Sequence, residues 1–165
     1  MMEDSAEPVE PPIAPELLQS VGLLLVKAGQ AETSLTLMLQ RLIDPTSSTS
    51  PRLVPVLTGK DTKVKLRLIK MFAARDFPNE RKNIEKLCEK VERAFGKRNL
   101  VAHNLISATS DPNRIEIFPV KAGADGVWPE EAFYAARDIQ AWADEIETAC
   151  RRLKAKLAEV GISPR

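Results

Sequence analysis

The sequence is poor in the side chains that most enzyme and metal sites use. Its 165 residues include a single histidine, His103, and two cysteines, Cys88 and Cys150. A structural zinc site normally takes about four cysteine or histidine ligands, so this set is too small and too scattered to form one. Aromatic residues make up only 5% of the chain, so no platform for stacking nucleic-acid bases is evident. We therefore predict no metal site and no cofactor.

Charge and hydropathy exclude further classes. The formal net charge is +1, so any anion-binding surface must come from local clustering of basic residues. The longest apolar run, residues 21–26, is far shorter than the roughly 20 residues that cross a bilayer. The start of the chain lacks the basic segment of a signal peptide. We expect a soluble, cytoplasmic protein without a membrane segment. Its cysteines are expected to be buried free thiols, with a disulfide between helices as the alternative.

Apolar periodicity predicts four helices, over residues 15–43, 60–76, about 79–106 and about 128–160. Three of them approach thirty residues, a length typical of packing against other long helices. The fold class that follows is all-α, an antiparallel four-helix bundle with long helices. One such domain accounts for residues 14–161.

The remaining segments are connections. Residues 1–13 are acidic and proline-rich and predict a disordered arm, while residues 162–165 form a tail. Residues 44–59 are rich in proline, serine and threonine and predict a loop. Partial alternation and a glycine-rich turn within about 112–128 predict a short β-hairpin insertion before the last helix, with Val127 and Trp128 in its return strand.

The first helix carries two adjoining apolar stripes, wide enough to contact two neighbouring helices. We expect both stripes to face inwards. The first contains Leu18, Val21, Leu25, Ala28, Leu35, Leu39 and Leu42, and the second contains Leu17, Leu24, Ala31 and Met38.

Two polar residues interrupt apolar seams, Glu32 in the first helix and Arg98 in the third. A guanidinium cannot enter a helical core without compensation, because burying an unpaired charge costs several kcal/mol. Glu32 is the best acidic partner for it. The pair either fixes the packing register of the helices or orients Arg98 in a pocket, and the sequence leaves both alternatives open.

His103 follows Arg98 by five positions in the same helix. On an ideal helical wheel the two side chains are about 140° apart, and Asn99 lies on the histidine's side. A helix that loosens near Gly96 or ends early would bring the two groups together, as would a second subunit.

The segment Arg98-Asn99-Leu100-Val101-Ala102-His103 resembles the R-x4-H signature of the HEPN superfamily, including the asparagine after the arginine. Proteins of that superfamily are helical bundles with the motif late in a long helix. The resemblance implies a metal-independent endoribonuclease that acts as a dimer, often in toxin–antitoxin or phage-defence systems. It makes Arg98 and His103 the catalytic pair and Asn99 an auxiliary residue, and we add Glu32 as a second auxiliary residue.

Cleavage through the 2′-hydroxyl of RNA suits this inventory. A histidine transfers protons near neutrality and a fixed cation stabilises a charged phosphorane. One histidine cannot act as base and acid in the same step, so a homodimer with both motifs in one cleft is expected. Basic side chains that could hold RNA phosphates are Lys60, Lys63, Arg67 and Lys70 on the second helix and Lys97 on the third.

Two other functions fit the same residues. The first is a non-catalytic helical module for dimerisation or partner binding, in which Arg98 is structural. The second is a nucleotide-binding partner of a nucleotidyltransferase, an inference from the family alone. An antitoxin or a nucleotidyltransferase is accordingly the protein partner to expect besides RNA.

Overall fold

The computed structural model describes residues 13–44, 53–118 and 132–161. The first long helix, α1, spans Pro15–Ile43, as the sequence predicts. Proline suits the first helical position because its missing N–H would have no partner there. The expected arm over residues 1–13 lies almost wholly outside the described residues, as does the tail over 162–165.

A short helix, α2, spans Leu53–Thr58, within the segment that the sequence assigns to a loop. The next helix, α3, spans Thr62–Asp76. It begins after Asp61, whose Oδ1 accepts a hydrogen bond of 2.8 Å from the Val64 N–H, the usual role of an aspartate N-cap. Thr62 and Glu32 of α1 are joined by a side-chain hydrogen bond, which places the start of α3 beside α1.

The helix that carries the motif, α4, spans Arg81–His103 and ends earlier than the expected residue 106. Asn104 is extended, with φ −113° and ψ 163°, and its Nδ2 donates to the Leu100 carbonyl. The chain then enters strand β1, Leu105–Ala108. The prediction that the helix includes Leu105 and Ile106 is therefore wrong, because these residues pair with another strand.

In place of a two-stranded hairpin, the described residues form a three-stranded antiparallel sheet in the order β1-β2-β3, and its central strand is the first strand of the predicted hairpin. Strand β2 is Arg114–Phe118 and strand β3 is Ala132–Ala135. Ile115 and Ile117 of β2 are buried against the core. The predicted return strand at Val127 and Trp128 lies outside the described residues. The last helix, α5, spans Ala136–Glu159 and starts later than expected, because β3 occupies the preceding residues.

The long helices pack in defined directions around α5. Lys27 pairs with Glu147, 120 positions later, and the Cys150 thiol lies 4.0 Å from the Ala31 carbonyl, 119 positions earlier. This constant offset means that α1 and α5 run parallel, so the antiparallel arrangement expected for all neighbours does not hold for this pair. Helices α4 and α5 run antiparallel, since Lys156 pairs with Glu80 while Trp142 lies beside Lys97.

The core is built from one side of α1 only. The second predicted stripe is buried, and so are Ala28, Leu35, Leu39 and Leu42 of the first. Leu18 and Leu25 are 56% and 41% exposed, so their expected inward positions are wrong. Periodicity also predicts an inward seam on α4, and its members Ile84, Cys88, Val91 and Phe95 are buried. Ala102, expected on the same seam, is exposed, so that part of the prediction is wrong. None of the helices in the described residues combines the length and apolar character that a membrane span requires.

Both cysteines are buried free thiols, and burial raises the pKa of each from 9.0 to about 12. In the unfolded chain these thiols ionise from about pH 9, while in the folded protein they stay protonated. The unfolded state then binds fewer protons, so the free energy of unfolding falls as pH rises from about 9 to about 12.

We expect the wild type to lose roughly 2 kcal/mol per thiol by about pH 10.5 relative to pH 8. Urea unfolding at both pH values measures this loss. The double variant Cys88→Ala/Cys150→Ala serves as the comparison, because it lacks both thiols and should show a smaller pH dependence. An identical loss in the two proteins would contradict the prediction.

Candidate functional site

Arg98 and His103 lie near the end of one unbroken helix. Helix α4 continues through Gly96, so the chain does not loosen there. The two side chains therefore keep the ideal separation of about 140° around the helix and about 7.5 Å along it. His103 is the last helical residue and is exposed. Within one chain the helix does not bring the pair together.

Arg98 is half-buried on the core-facing side of α4. Its Nη1 donates a hydrogen bond of 3.1 Å to Oδ1 of Asn99. Its Nε is buried and has no hydrogen-bond partner among the described residues. A buried donor without a partner costs about 1–3 kcal/mol, so this nitrogen by itself lowers the stability of the fold. Such groups in folded proteins call for an explanation, such as a catalytic role, a strained site or a bound water or ion.

The predicted pairing of Glu32 with Arg98 is wrong for the described residues. Its Oε1 accepts a hydrogen bond of 3.2 Å from the Thr62 hydroxyl, and the described residues contain no ion pair between Glu32 and Arg98. The reason is that the two residues lie at different heights along the common direction of the helices. The offset of 120 positions between α1 and α5 puts Trp142 level with Gly22, and Trp142 lies beside Lys97. Arg98 is therefore about 16 Å from Glu32 along the helix direction.

The end of the molecule that contains His103 also contains the sheet and the first turn of α1. The Ala14 N–H donates a hydrogen bond of 3.0 Å to the Pro112 carbonyl in the turn between β1 and β2. Asn99 and His103 are both exposed on α4. A large substrate can therefore reach the histidine from solvent.

A groove between α4 and α5 carries several cations. It has a volume of about 610 Å³, and four of its lining residues are basic: Lys90, Arg93, Lys97 and Arg152. Asp144 and Glu145 also line it, so its charge is mixed. Lys97 Nζ lies 5.5 Å from the centroid of the Trp142 ring, and the Tyr134 ring meets Trp142 edge-on at 4.7 Å. Lys97, which lines the groove, is therefore also next to a half-buried aromatic pair.

The second helix of the sequence prediction presents a different basic surface. Lys63 and Arg67 on α3 are exposed, as is Lys60, which precedes the helix. Lys70 is half-buried and lies 3.9 Å from Glu92 of α4. The sequence places Lys97 on a basic face of its helix but does not reveal that Arg152 and Trp142 stand opposite, because that depends on the register between α4 and α5. Among the described residues, no three histidine, cysteine or acidic side chains are grouped to hold a metal ion.

No family model matches the chain, and neither a curated protein nor a solved structure matches it. The similarity to the HEPN superfamily therefore depends on the six-residue motif and on the helix that carries it.

Replacing Arg98 tests whether its side chain stabilises the fold. Arg98→Met keeps an unbranched apolar stem and removes the buried donor that has no partner. We expect its free energy of unfolding to equal the wild-type value or to exceed it by about 1 kcal/mol. Arg98→Ala, the matched control, loses the stem packing and should be less stable. Chemical denaturation of the three proteins measures both effects, and a methionine variant as unstable as the alanine variant would show that Arg98 is structural.

Proposed function

We propose that the protein is a HEPN-like, metal-independent endoribonuclease that cleaves RNA at a composite site in a homodimer. The observation that carries the proposal is the buried Nε of Arg98, which lacks a partner in the described part of the chain, in the same helix as an exposed histidine. Phosphoryl transfer without a metal needs a cation to stabilise the charged transition state and a titratable group to transfer protons. Arg98 and the solvent-accessible His103 would supply these two groups. We also infer that the four long helices form a bundle of the kind found in that superfamily.

In the proposed reaction, the 2′-hydroxyl oxygen attacks the adjacent phosphorus atom. A histidine accepts the hydroxyl proton as the new P–O bond forms. The bond from phosphorus to the 5′-oxygen breaks, and an acid donates a proton to that oxygen. The products are a 2′,3′-cyclic phosphate and a 5′-hydroxyl end. Arg98 stabilises the negative charge of the phosphorane, an electrostatic role that fixed cations perform well in enzymes.

The proposal needs a second subunit, because base and acid act in the same step and each chain has one histidine. The second copy of His103 would supply the missing proton-transfer group at the exposed end of α4. A cytoplasmic role in toxin–antitoxin or phage-defence systems accompanies the resemblance, with an antitoxin or a nucleotidyltransferase as the protein partner.

RNA would follow the groove between α4 and α5. Its basic residues, Lys90, Arg93, Lys97 and Arg152, would neutralise phosphates, and Trp142 lies beside Lys97. Base stacking on an aromatic ring adds affinity without sequence preference. Of the groove's lining residues on α4, Lys97 is the nearest in sequence to His103.

The second candidate function is the non-catalytic dimerisation or partner-binding module. The exposed apolar residues of α1 favour it, since large apolar patches on a soluble protein usually mark an interaction surface. In that case Arg98 is structural, and His103 can be replaced without consequence.

His103→Ala tests the ribonuclease directly. With single-stranded RNA in the presence of EDTA, we expect wild type to cleave and the variant to lose about 10²–10⁴-fold in rate, the usual contribution of a general acid or base. The products should carry cyclic phosphate ends, detected by mass spectrometry. Ser110→Ala, an exposed change at the same end of the molecule, controls for nonspecific effects. Equal cleavage by wild type and His103→Ala would rule out this mechanism.

A pair of double variants separates the two basic surfaces. Lys90→Ala/Arg93→Ala removes two charges from the groove, and Lys63→Ala/Arg67→Ala removes two from α3. With the His103→Ala change in both backgrounds, fluorescence anisotropy measures RNA binding without cleavage. We expect the groove variant to bind more weakly and to reduce the salt dependence by about 1.4 in log–log slope. The proposed RNA path is wrong if only the α3 variant weakens binding.

A further inference from the structure

Helix α1 exposes an apolar face that no other described element covers. Leu18, Leu25 and Val26 are 56%, 41% and 57% exposed. Gly22 and Gly29 lie on the same face and are also exposed. These five residues fall within about 100° of the helix circumference. A Cβ added at either glycine would meet no atom of the described residues within 4 Å, so each glycine leaves a notch between its neighbouring side chains.

This face can be covered without burying a charge. Between Leu17 and Ala31 the helix has one charged side chain, Lys27. Lys27 points to the other side of α1, where it pairs with Glu147 of α5. A partner that covers the face therefore meets only apolar side chains and glycine backbone, and the desolvation cost of ions does not arise.

The order of the residues makes the face complementary to itself. Leucines and glycines alternate at positions 18, 22, 25 and 29. If two copies of α1 pair antiparallel about a two-fold axis between residues 23 and 24, Leu18 lies opposite Gly29 of the second copy, and Gly22 lies opposite Leu25. Each leucine then fills a glycine notch. In a parallel pairing leucine would meet leucine and glycine would meet glycine, which packs poorly.

We propose that this face of α1 is a homodimer interface in which two copies pair antiparallel. Two-fold contacts are isologous, so a contact made by residue i with residue j is made again by j with i. The alternation on α1 satisfies that condition at four positions. An unrelated partner would have no reason to match it, and for this reason we assign the face to a second copy of the chain.

The size of the face sets the strength of the association. From Leu18 to Gly29 the helix is about 17 Å long and about 10 Å wide. That is well below the roughly 800 Å² that each partner buries in a dimer of standard size. Residues flanking the central turns must add area, and the dimer is expected to dissociate on dilution.

The interface is independent of the ribonuclease proposal. Arg98 projects from the core-facing side of α4, whereas the paired face of α1 points away from the core. Pairing through α1 therefore leaves the end of α4 on the outside of the dimer, and the composite cleft requires a different contact. Either association can be lost while the other remains.

Gly22→Leu tests the interface without threatening the fold. Leucine favours helix over glycine, and no described atom of the same chain occupies the space above Gly22. In the dimer the new leucine would meet Leu25 of the second copy. We expect the dissociation constant, measured by sedimentation equilibrium, to rise at least tenfold. Gly96→Leu is the matched control, because Gly96 is an exposed helical glycine of α4 with equally open space, and it should associate like wild type.

A swap of the two side chains provides a second, positive test. In the double variant Gly22→Leu/Leu25→Gly, the new leucine at position 22 faces the new glycine at position 25 of the second copy. Each leucine then again fills a glycine notch, so the dissociation constant should return towards the wild-type value. A wild type that stays monomeric throughout the concentration range would overturn the proposal. A wild-type dimer that Gly22→Leu does not weaken would also overturn it, and would direct attention to the end of α4. Loss of RNA cleavage in His103→Ala has no bearing on either outcome.

Discussion

The structure depends on the burial of α5 between α1 and α4. Ile139, Ile146 and Leu153 are fully buried, and each such side chain contributes roughly 1.5–3 kcal/mol relative to exposure. The ion pairs of α5, from Lys156 to Glu80 and from Glu147 to Lys27, are on the surface and contribute little energy. They do show which residues of α5 lie beside which residues of α1 and α4, that is, the packing register of the three helices. Because α5 contacts both helices, its packing decides which residues of α1 and α4 share a level.

That register explains which features can be predicted from the sequence. The bounds of α1 follow from local signals, a proline at its start and Asp44 with a proline at its end. The α4 seam is also local, since Ile84, Cys88 and Val91 repeat at helical spacing among charged residues. The rotation of α1 is different, because apolar residues surround most of the helix and both stripes look equally suited to a core. Only the positions of α3 and α5 decide that Leu17 and Leu24 are covered while Leu18 and Leu25 are not.

The candidate site also combines features that the sequence predicts with features that only the packing of the helices determines. Arg98 is recognisable as a polar residue in an apolar seam, and the structure places it on the core-facing side. Its expected pairing with Glu32 could not be judged from spacing within each helix, because the answer lies in the relative levels of α1 and α4. The end of α4 was also beyond local reasoning. Leu105 and Ile106 suit a helix or a strand, and their pairing with Phe118 and Ile117 of β2 decides the matter.

The transition from α4 to β1 has a consequence for His103. The last turn of a helix usually frays, because its carbonyls lack partners within the helix. Here only Asn104 separates His103 from a strand that is paired along its whole length with β2, so the backbone of the histidine is held from both sides. Most of the conformational entropy of this segment is therefore lost when the protein folds. A ligand that meets His103 would not have to order the main chain, and more of its contact energy would remain as affinity.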